Sequence, residues 1–400
     1  MHKLIGGILL VAGTTIGAGM LALPISTGLA GFWPSMLLLV FCWGFMAFTA
    51  FLMLEVNLWM EDNTNLITMA RRTLGRGGEI LSWATYLFLL YALTTAYIAG
   101  SGPLVITIMH KLTGVVLPAY IGSIPLLLLF GFCVYRGTAS VDYVNRILIV
   151  GLVISFAVLV VLLTPHVDPA LLRQVVKWPA VGIAISLVVT SFGYHIIIPT
   201  LITYLKRDVK QLKLVILVGS LIPLAVYLIW ELLILGIIPV EGLHGLAHGY
   251  EEGIDAAQLL SKRMDGHAIG MIAQLFSFFA VVTSFLGVSL SLSDFLSDGL
   301  KIKKTRAGRT VLYALTFLPP VVFTLADPRI FFTALEYAGA FGVVVLLALL
   351  PALMTWRGRY HHRFPSTFKV PGGKLSLIAA IMISVCIIGL EIFNQLEWGS

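Results

Sequence analysis

Residues 4–54 contain no Asp, Glu, Lys or Arg, and residues 178–205 contain none either. A helix needs roughly 20 consecutive apolar residues to cross ~30 Å of hydrocarbon, so the first stretch alone is long enough for two crossings. Over 400 residues the chain is 59% hydrophobic and 11% charged, where a soluble protein carries about a quarter charged residues. This balance rules out a soluble enzyme, a secreted disulfide scaffold and a disordered chain. It also argues against a transmembrane β-barrel, whose strands are short and alternate in polarity.

Breaking the chain at charges and turn residues gives eleven expected spans, at residues 4–30, 33–56, 80–109, 119–135, 145–164, 178–205, 212–239, 267–297, 310–326, 330–354 and 375–394. The fold class expected is an all-α integral membrane protein. With the N-terminus in the cytoplasm, 20 of the 26 Lys and Arg residues fall in inner loops. Only Lys111, Arg173, Lys177, Lys262, Arg263 and Arg329 fall outside. That asymmetry obeys the positive-inside rule, and an odd number of spans leaves the C-terminus on the periplasmic side. The first apolar stretch follows Lys3 at once and outruns a signal h-region, so no cleaved leader is expected. The net charge of +7 sits in short loops and does not imply nucleic-acid binding. Cys42, Cys133 and Cys386 are an odd, widely spaced set in apolar segments, which indicates neither a disulfide framework nor a zinc site. No cofactor is expected.

Two polar connections carry apolar residues at helical spacing. Residues 57–79 include Leu66, Ile67, Met69, Ala70 and Leu74 beside Arg71 and Arg72, and suggest an amphipathic helix on the inner surface. Residues 240–266 suggest a similar helix outside. One follows span 2 and the other span 7, an offset of five. Five is odd, so two such units in tandem are inverted. The expected division is residues 1–164, 178–354 and an additional helix at 375–394. Transporters built from inverted repeats bind substrate near the midplane, between discontinuous helices in matching positions.

Interruptions occur at those positions. Span 1 contains Gly13-Thr14-Thr15-Ile16-Gly17-Ala18-Gly19 and then Pro24, and span 6 contains Thr190-Ser191-Phe192-Gly193-Tyr194-His195 and then Pro199. Glycine favours non-helical torsions and proline removes a donor. In hydrocarbon such backbone is tolerated only inside protein or beside a cavity. Gly13 and Gly17 also form a G-x-x-x-G, a pattern that serves helix packing as readily. A half-helix N-terminus suits a carboxylate, and unwound carbonyls with a half-helix C-terminus suit an ammonium or a small cation. Two such breaks meeting at the midplane recognise both ends of a zwitterionic α-amino acid without a protein charge.

These residues resemble the hydroxy and aromatic amino acid permease family of the amino acid–polyamine–organocation superfamily, nearest its tyrosine-specific bacterial members. The opening signature is Val11 through Pro24. Further matches are Tyr91-Ala92-Leu93-Thr94 with Ala96-Tyr97-Ile98, Thr190 through His195, Thr283-Ser284-Phe285-Leu286-Gly287-Val288, and Thr316-Phe317-Leu318-Pro319-Pro320. The resemblance implies a LeuT-type five-plus-five inverted repeat with an eleventh helix. It also implies proton-driven uptake of an aromatic amino acid across the bacterial inner membrane. Carried onto this chain, it assigns Thr14, Gly17, Ala18, Gly19, Ser191, Phe192, Gly193 and Tyr194 to the substrate backbone cradle. Tyr91, Thr94, Tyr97, Ser284, Phe285 and Ser289 are assigned to the side-chain pocket. Tyrosine- and tryptophan-specific members share most of these motifs, so both substrates stay open.

Ionisable groups inside a membrane are costly and default to function. His195 follows the second break directly and can change charge near neutral pH, although a neutral, hydrogen-bonded histidine fits the pattern equally. Glu231 in span 7 and Glu336 in span 10 are candidates for a proton carrier or a gate, and Asp294 near the inner end of span 8 for a gate. Glu55, Glu79 and Glu391 lie near span ends and are expected at the interface. Thr283 and Ser284, with carbonyls near Thr14 and Thr15, offer an oxygen site for sodium. A sodium-coupled or exchange-type carrier is therefore the second reading. A channel or a membrane-embedded enzyme has less support, since neither metal-ligand spacing nor a nucleophile elbow is present.

Overall fold

In the computed structural model, residues 2–61, 64–114, 118–173, 176–264, 268–327 and 330–398 are described. Their regular structure is entirely helical. In chain order the helices are α1 (His2–Thr15), α2 (Gly19–Thr27), α3 (Phe32–Leu58), α4 (Leu66–Leu74), α5 (Arg76–Thr113), α6 (Ala119–Gly122), α7 (Ile124–Arg136), α8 (Thr138–Leu163) and α9 (Val181–Ser191). They continue as α10 (Ile198–Tyr204), α11 (Val209–Leu235), α12 (Leu246–Glu251), α13 (Ala256–Arg263), α14 (Ala268–Gly299), α15 (Arg306–Ala326), α16 (Phe331–Tyr337), α17 (Leu350–Arg357) and α18 (Gly373–Trp398). Between α16 and α17 the chain stays helical as a wide π coil over Ala338–Leu349.

Nine helices among the described residues are long and apolar enough to cross a membrane, and the bent pair His2–Thr15 with Gly19–Ala30 makes a tenth. The expected fourth span is shorter than a crossing. Its main helix, α7, has 13 residues, or about 20 Å at ~1.5 Å per residue. The division between the first two spans falls at Gly31, whose φ of 96° is open to glycine and costly for other residues. Ser35 ties that turn by donating to the Thr27 carbonyl at 2.9 Å and the Gly31 carbonyl at 2.8 Å. Arg329, counted above among the outer charges, lies outside the described residues.

Burial sorts the spans into a centre and a rim. The apolar window of Phe331–His362 is 78% buried and that of Arg76–His110 is 67% buried, whereas Thr138–His166, Arg306–Ala326 and Gly373–Leu396 reach only 28%. The rim helices turn large apolar side chains outward, among them Val153 and Val161 on α8, Leu318 and Phe323 on α15, and Met382 and Val385 on α18. A continuous exposed apolar surface of this kind suits lipid.

The two amphipathic connections are helical, but they differ in kind. Over residues 57–79, α4 is capped by Asn65, which accepts from the Thr68 N–H at 2.9 Å, and it buries Met69, Ala70 and Thr73 while Arg71 and Arg72 lie in its last turn. Over residues 240–266 there are two helices instead of one, α12 half-buried and α13 mostly covered by protein. α13 is buried from Ala256 to Ser261, and α12 and α13 pack on α2 and α14. Asp255 caps α13 by accepting from the N–H groups of Ala257 (2.9 Å) and Gln258 (3.0 Å), and Ser277 on α14 donates to it at 2.8 Å. Burial raises its carboxyl above the ordinary range.

Two of the three carboxylates expected at the interface are instead buried. Glu391 is 1% exposed and receives the Gln395 amide. Glu55 is fully buried in a fork with Arg359, at 2.7 Å from Nε and 2.5 Å from Nη2, and it also accepts the Val370 N–H at 2.7 Å. Arg359 lies just past α17, and the chain beyond it folds back to bring the Val370 N–H to the C-terminal end of α3. Only Glu79 sits at the surface, beside Arg71. Removing one partner of a buried pair strands the other charge, at a cost of about 3–5 kcal/mol. Arg359→Met and Glu55→Ala are therefore each expected to lower the thermal unfolding midpoint of the detergent-solubilised protein by many degrees, and an unchanged midpoint would contradict the pairing.

Candidate functional site

Both interruptions are real breaks in the helical backbone. α1 ends at Thr15, and the segment Gly19–Ala30 leaves at an angle of 56°. Over the gap, Met20 N–H donates to Gly17 O at 3.2 Å and Leu21 N–H to Ala18 O at 3.1 Å, a tight turn that restarts the helix. Pro24 is not the cause, because it lies inside α2, where it leaves one turn without a donor. α9 ends at Ser191. Phe192 and Gly193 close a turn by donating to the carbonyls of Val189 and Thr190, each at 3.1 Å, and α10 begins with Pro199 in its first turn, where no donor is needed.

The breaks face each other. A Cβ built on Gly19 would stand 3.1 Å from the Ser191 hydroxyl. The Tyr227 hydroxyl, from α11, lies 2.7 Å from the Thr15 carbonyl and 3.0 Å from the Ser191 carbonyl, the last residues of α1 and α9. These are the negative ends of two half-helices. On the other side of the first gap, Ala18 N–H donates to Ser284 Oγ at 2.8 Å, with Tyr97 beside that serine. Phe192 meets the Tyr227 ring edge-on, with centroids 5.3 Å apart.

The structure thus gathers Gly17, Ala18, Gly19, Ser191, Phe192, Tyr97 and Ser284 around one point. For the other expected site residues no described contact reaches these atoms. Thr14 is exposed and its hydroxyl returns to Leu10 O. Tyr91 donates to Leu315 O on α15, and Phe285 stacks on Phe317 of the same helix. Thr94 is buried and donates to Leu90 O. Gly193 turns toward Val343 and Leu347. Ser289 is buried and its hydroxyl makes no hydrogen bond among the described residues. Thr15 and Thr283 donate their hydroxyls to carbonyls of their own helices, which leaves their oxygen lone pairs uncommitted. Among the described residues no group of three His, Cys, Asp or Glu side chains could hold a metal ion.

The four ionisable candidates are spread along the molecule. His195 is buried beside Tyr194, its Nε2 2.9 Å from Thr49 Oγ1, and it lines a cavity of about 760 Å³. Trp83, Tyr86, Thr203, Phe295 and Asp298 also line that cavity, with the 64–67 segment at its mouth. It opens at the end of the bundle where α10 and α14 finish. At the opposite end α12 and α13 cover α2. There Glu231 is fully buried in hydrogen-bond contact with the Thr27 hydroxyl, and among the described residues no Lys or Arg pairs with it. Also there, Tyr250 on α12 donates to Glu336 at 2.8 Å. Burial and the Glu336 charge push the Tyr250 phenol above its ordinary range. Asp294 is different: it is half-exposed near the end of α14 and paired with Lys304 at 2.7 Å.

Residues 1–391 match the tryptophan/tyrosine permease family. The chain belongs to that family. A tyrosine-specific transport system of Haemophilus influenzae is 35% identical over 393 residues, covering 97% of this chain and 96% of its own. A tryptophan-specific transport protein of Pseudomonas aeruginosa is 31% identical, over 99% of this chain and 96% of its own. A glutamine transporter of Aliivibrio fischeri is 28% identical, over 96% and 98%. Family and relatives are transport proteins rather than enzymes.

Sequence reasoning missed Tyr227, Thr27 and Thr49. A signal for the first was present: Ser220, Tyr227 and Glu231 are spaced by seven and then four, a polar stripe on one face of an apolar helix. The two glycines of the G-x-x-x-G separate in this permease. Nothing lies within 4 Å of a Cβ on Gly13, whereas a Cβ on Gly17 would stand 2.6 Å from Ser284 Oγ. Gly13→Ala is expected to retain substrate binding, and Gly17→Ala to weaken it at least tenfold by pushing Ser284 off the Ala18 N–H. Equal affinities in a binding titration would contradict this geometry.

Proposed function

We propose that this permease is a secondary active symporter that imports an aromatic amino acid, tyrosine before tryptophan, coupled to protons. It works by alternating access in a bacterial inner membrane. The carrying observation is the convergence of the Thr15 and Ser191 carbonyls on one hydroxyl where two broken helices meet. A pair of helix-end carbonyls takes an ammonium, and the Gly19 N–H at the restart of α2, which no described carbonyl outside the helices accepts, takes the carboxylate. Tyr97 and Phe192 stand beside these ends and supply aromatic walls. Tyrosine- and tryptophan-specific relatives support the substrate class.

The architecture proposed is the LeuT-type arrangement. Helices α1 to α8 form the first repeat, α9 to α17 the second, and α18 the extra span, with α6 and α7 together as a shallow fourth span. The N-terminus is cytoplasmic and the C-terminus periplasmic. The cavity beside His195 is then the inner vestibule, and α12 with α13 is the closed outer gate.

Glu231 is the proposed proton carrier. It reaches from α11 to Thr27 on α2, one turn from Tyr227, and one of its oxygens has no partner. A buried carboxyl served only by hydroxyls can take up and release a proton without breaking an ion pair. His195 instead forms part of the inner vestibule wall.

Uptake of labelled tyrosine into proteoliposomes, with proton and sodium gradients imposed separately, tests the reading. Accumulation is expected from the proton gradient alone, with tryptophan competing and glutamine not. Accumulation driven only by sodium would overturn proton coupling, and glutamine as the best competitor would overturn the substrate class. Glu231→Gln is expected to abolish proton-driven accumulation while counterflow exchange continues. His195→Gln is expected to leave the dependence of uptake on pH between about 5 and 8 in place. The reverse pattern would transfer the role to His195.

A further inference from the structure

We propose that the Tyr227 hydroxyl is a stand-in for the substrate's ammonium: it ties the Thr15 and Ser191 carbonyls together in the empty carrier, and the incoming ammonium displaces it. The inference rests on the aromatic amino acid reading above and adds a residue that determines affinity and release.

Tyr227 is fully buried, and its hydroxyl meets two carbonyls, at 2.7 and 3.0 Å. Both belong to terminal residues of half-helices, where the chain offers no next turn to supply a donor. No described backbone N–H from outside α1 or α9 donates to either oxygen. A phenol has one hydrogen, so it serves the two oxygens only by sharing. An ammonium has three and serves both fully. A nitrogen within hydrogen-bond distance of both carbonyls must occupy the volume now held by the phenolic oxygen. The two donors therefore exclude each other.

The surroundings suit an exchange of this kind. Phe192, directly after Ser191, packs edge-on against the Tyr227 ring and links its position to the second break. The inner cavity reaches His195, four residues past Ser191. Release of substrate toward that cavity strands two carbonyls in an apolar interior, and a donor waiting on α11 removes that penalty. The hydroxyl thereby lowers affinity in the inward-open form and speeds release. It acts as a positioning residue, through the carbonyls, without touching substrate.

Tyr227→Phe keeps the ring and removes the hydrogen. Affinity of the purified variant is measured for L-tyrosine and for its des-amino analogue 3-(4-hydroxyphenyl)propanoate, and efflux is followed from preloaded proteoliposomes. The variant is expected to bind L-tyrosine about tenfold more tightly, because its empty state has lost the competing donor. The des-amino analogue, which leaves the hydroxyl in place, is expected to bind both proteins alike. Efflux of L-tyrosine is expected to slow several-fold. A purely structural role changes both ligands equally, and that result overturns the inference, as does unchanged or weaker L-tyrosine binding. Tyr227→Met carries the same expectations if the phenylalanine variant does not fold. Wild-type protein that binds no aromatic amino acid overturns the substrate reading and this inference together, whereas wild-type binding with an unaltered variant overturns this inference alone.

Discussion

Peptide groups released from a helix inside an apolar interior must find new partners, and this requirement organises the centre of the molecule. Two helices stop at Thr15 and Ser191, and both terminal residues are buried. One phenol from α11 holds both carbonyl ends, while a serine from α14 accepts the Ala18 N–H. Four chain segments are thereby fixed relative to one another by three hydrogen bonds. In water such bonds contribute little, but in a buried interior a lost partner costs more than a made bond gains.

The two ends of the bundle handle buried charge in different ways. At one end Glu55 is answered by a forked guanidinium and a backbone N–H, a fully paired arrangement that locks the fold-back after α17 onto α3. At the other end Glu231 and Glu336 meet, among the described residues, only hydroxyls, from Thr27 and Tyr250. Paired charges resist movement. Carboxyls held by hydroxyls leave no ion pair to break if their helices part.

Much of the frame is legible in the residues. Apolar stretches locate the spans because hydrocarbon tolerates nothing else, and the glycines at 17 and 19 mark the first break because few other residues suit it. The amphipathic pattern at 57–79 and 240–266 marks helices that are present. It does not reveal that the second segment is two helices packed inward, since a helix half-covered by lipid headgroups and one covered by protein have similar polarity patterns. Pro24 misleads for a related reason: proline signals a missing donor, and a buried helix can carry one such gap without breaking. Tyr91 and Phe285 lie on helices that also supply central residues, yet their faces turn to α15, and a residue's face depends on helix rotation, which short motifs do not encode.

By itself the sequence determined the class of protein and the positions of its weak points, because hydrophobic length and glycine placement are local properties of the chain. It also marked Glu231 and His195 as costly and therefore meaningful. Tertiary structure alone decided which atoms answer the breaks. Tyr227 is 36 residues from Ser191 and 212 from Thr15, and Arg359 is 304 from Glu55. Hydrogen bonds act over about 3 Å, so partnerships across such separations exist only once the helices have crossed, and crossing is a property of the packed whole.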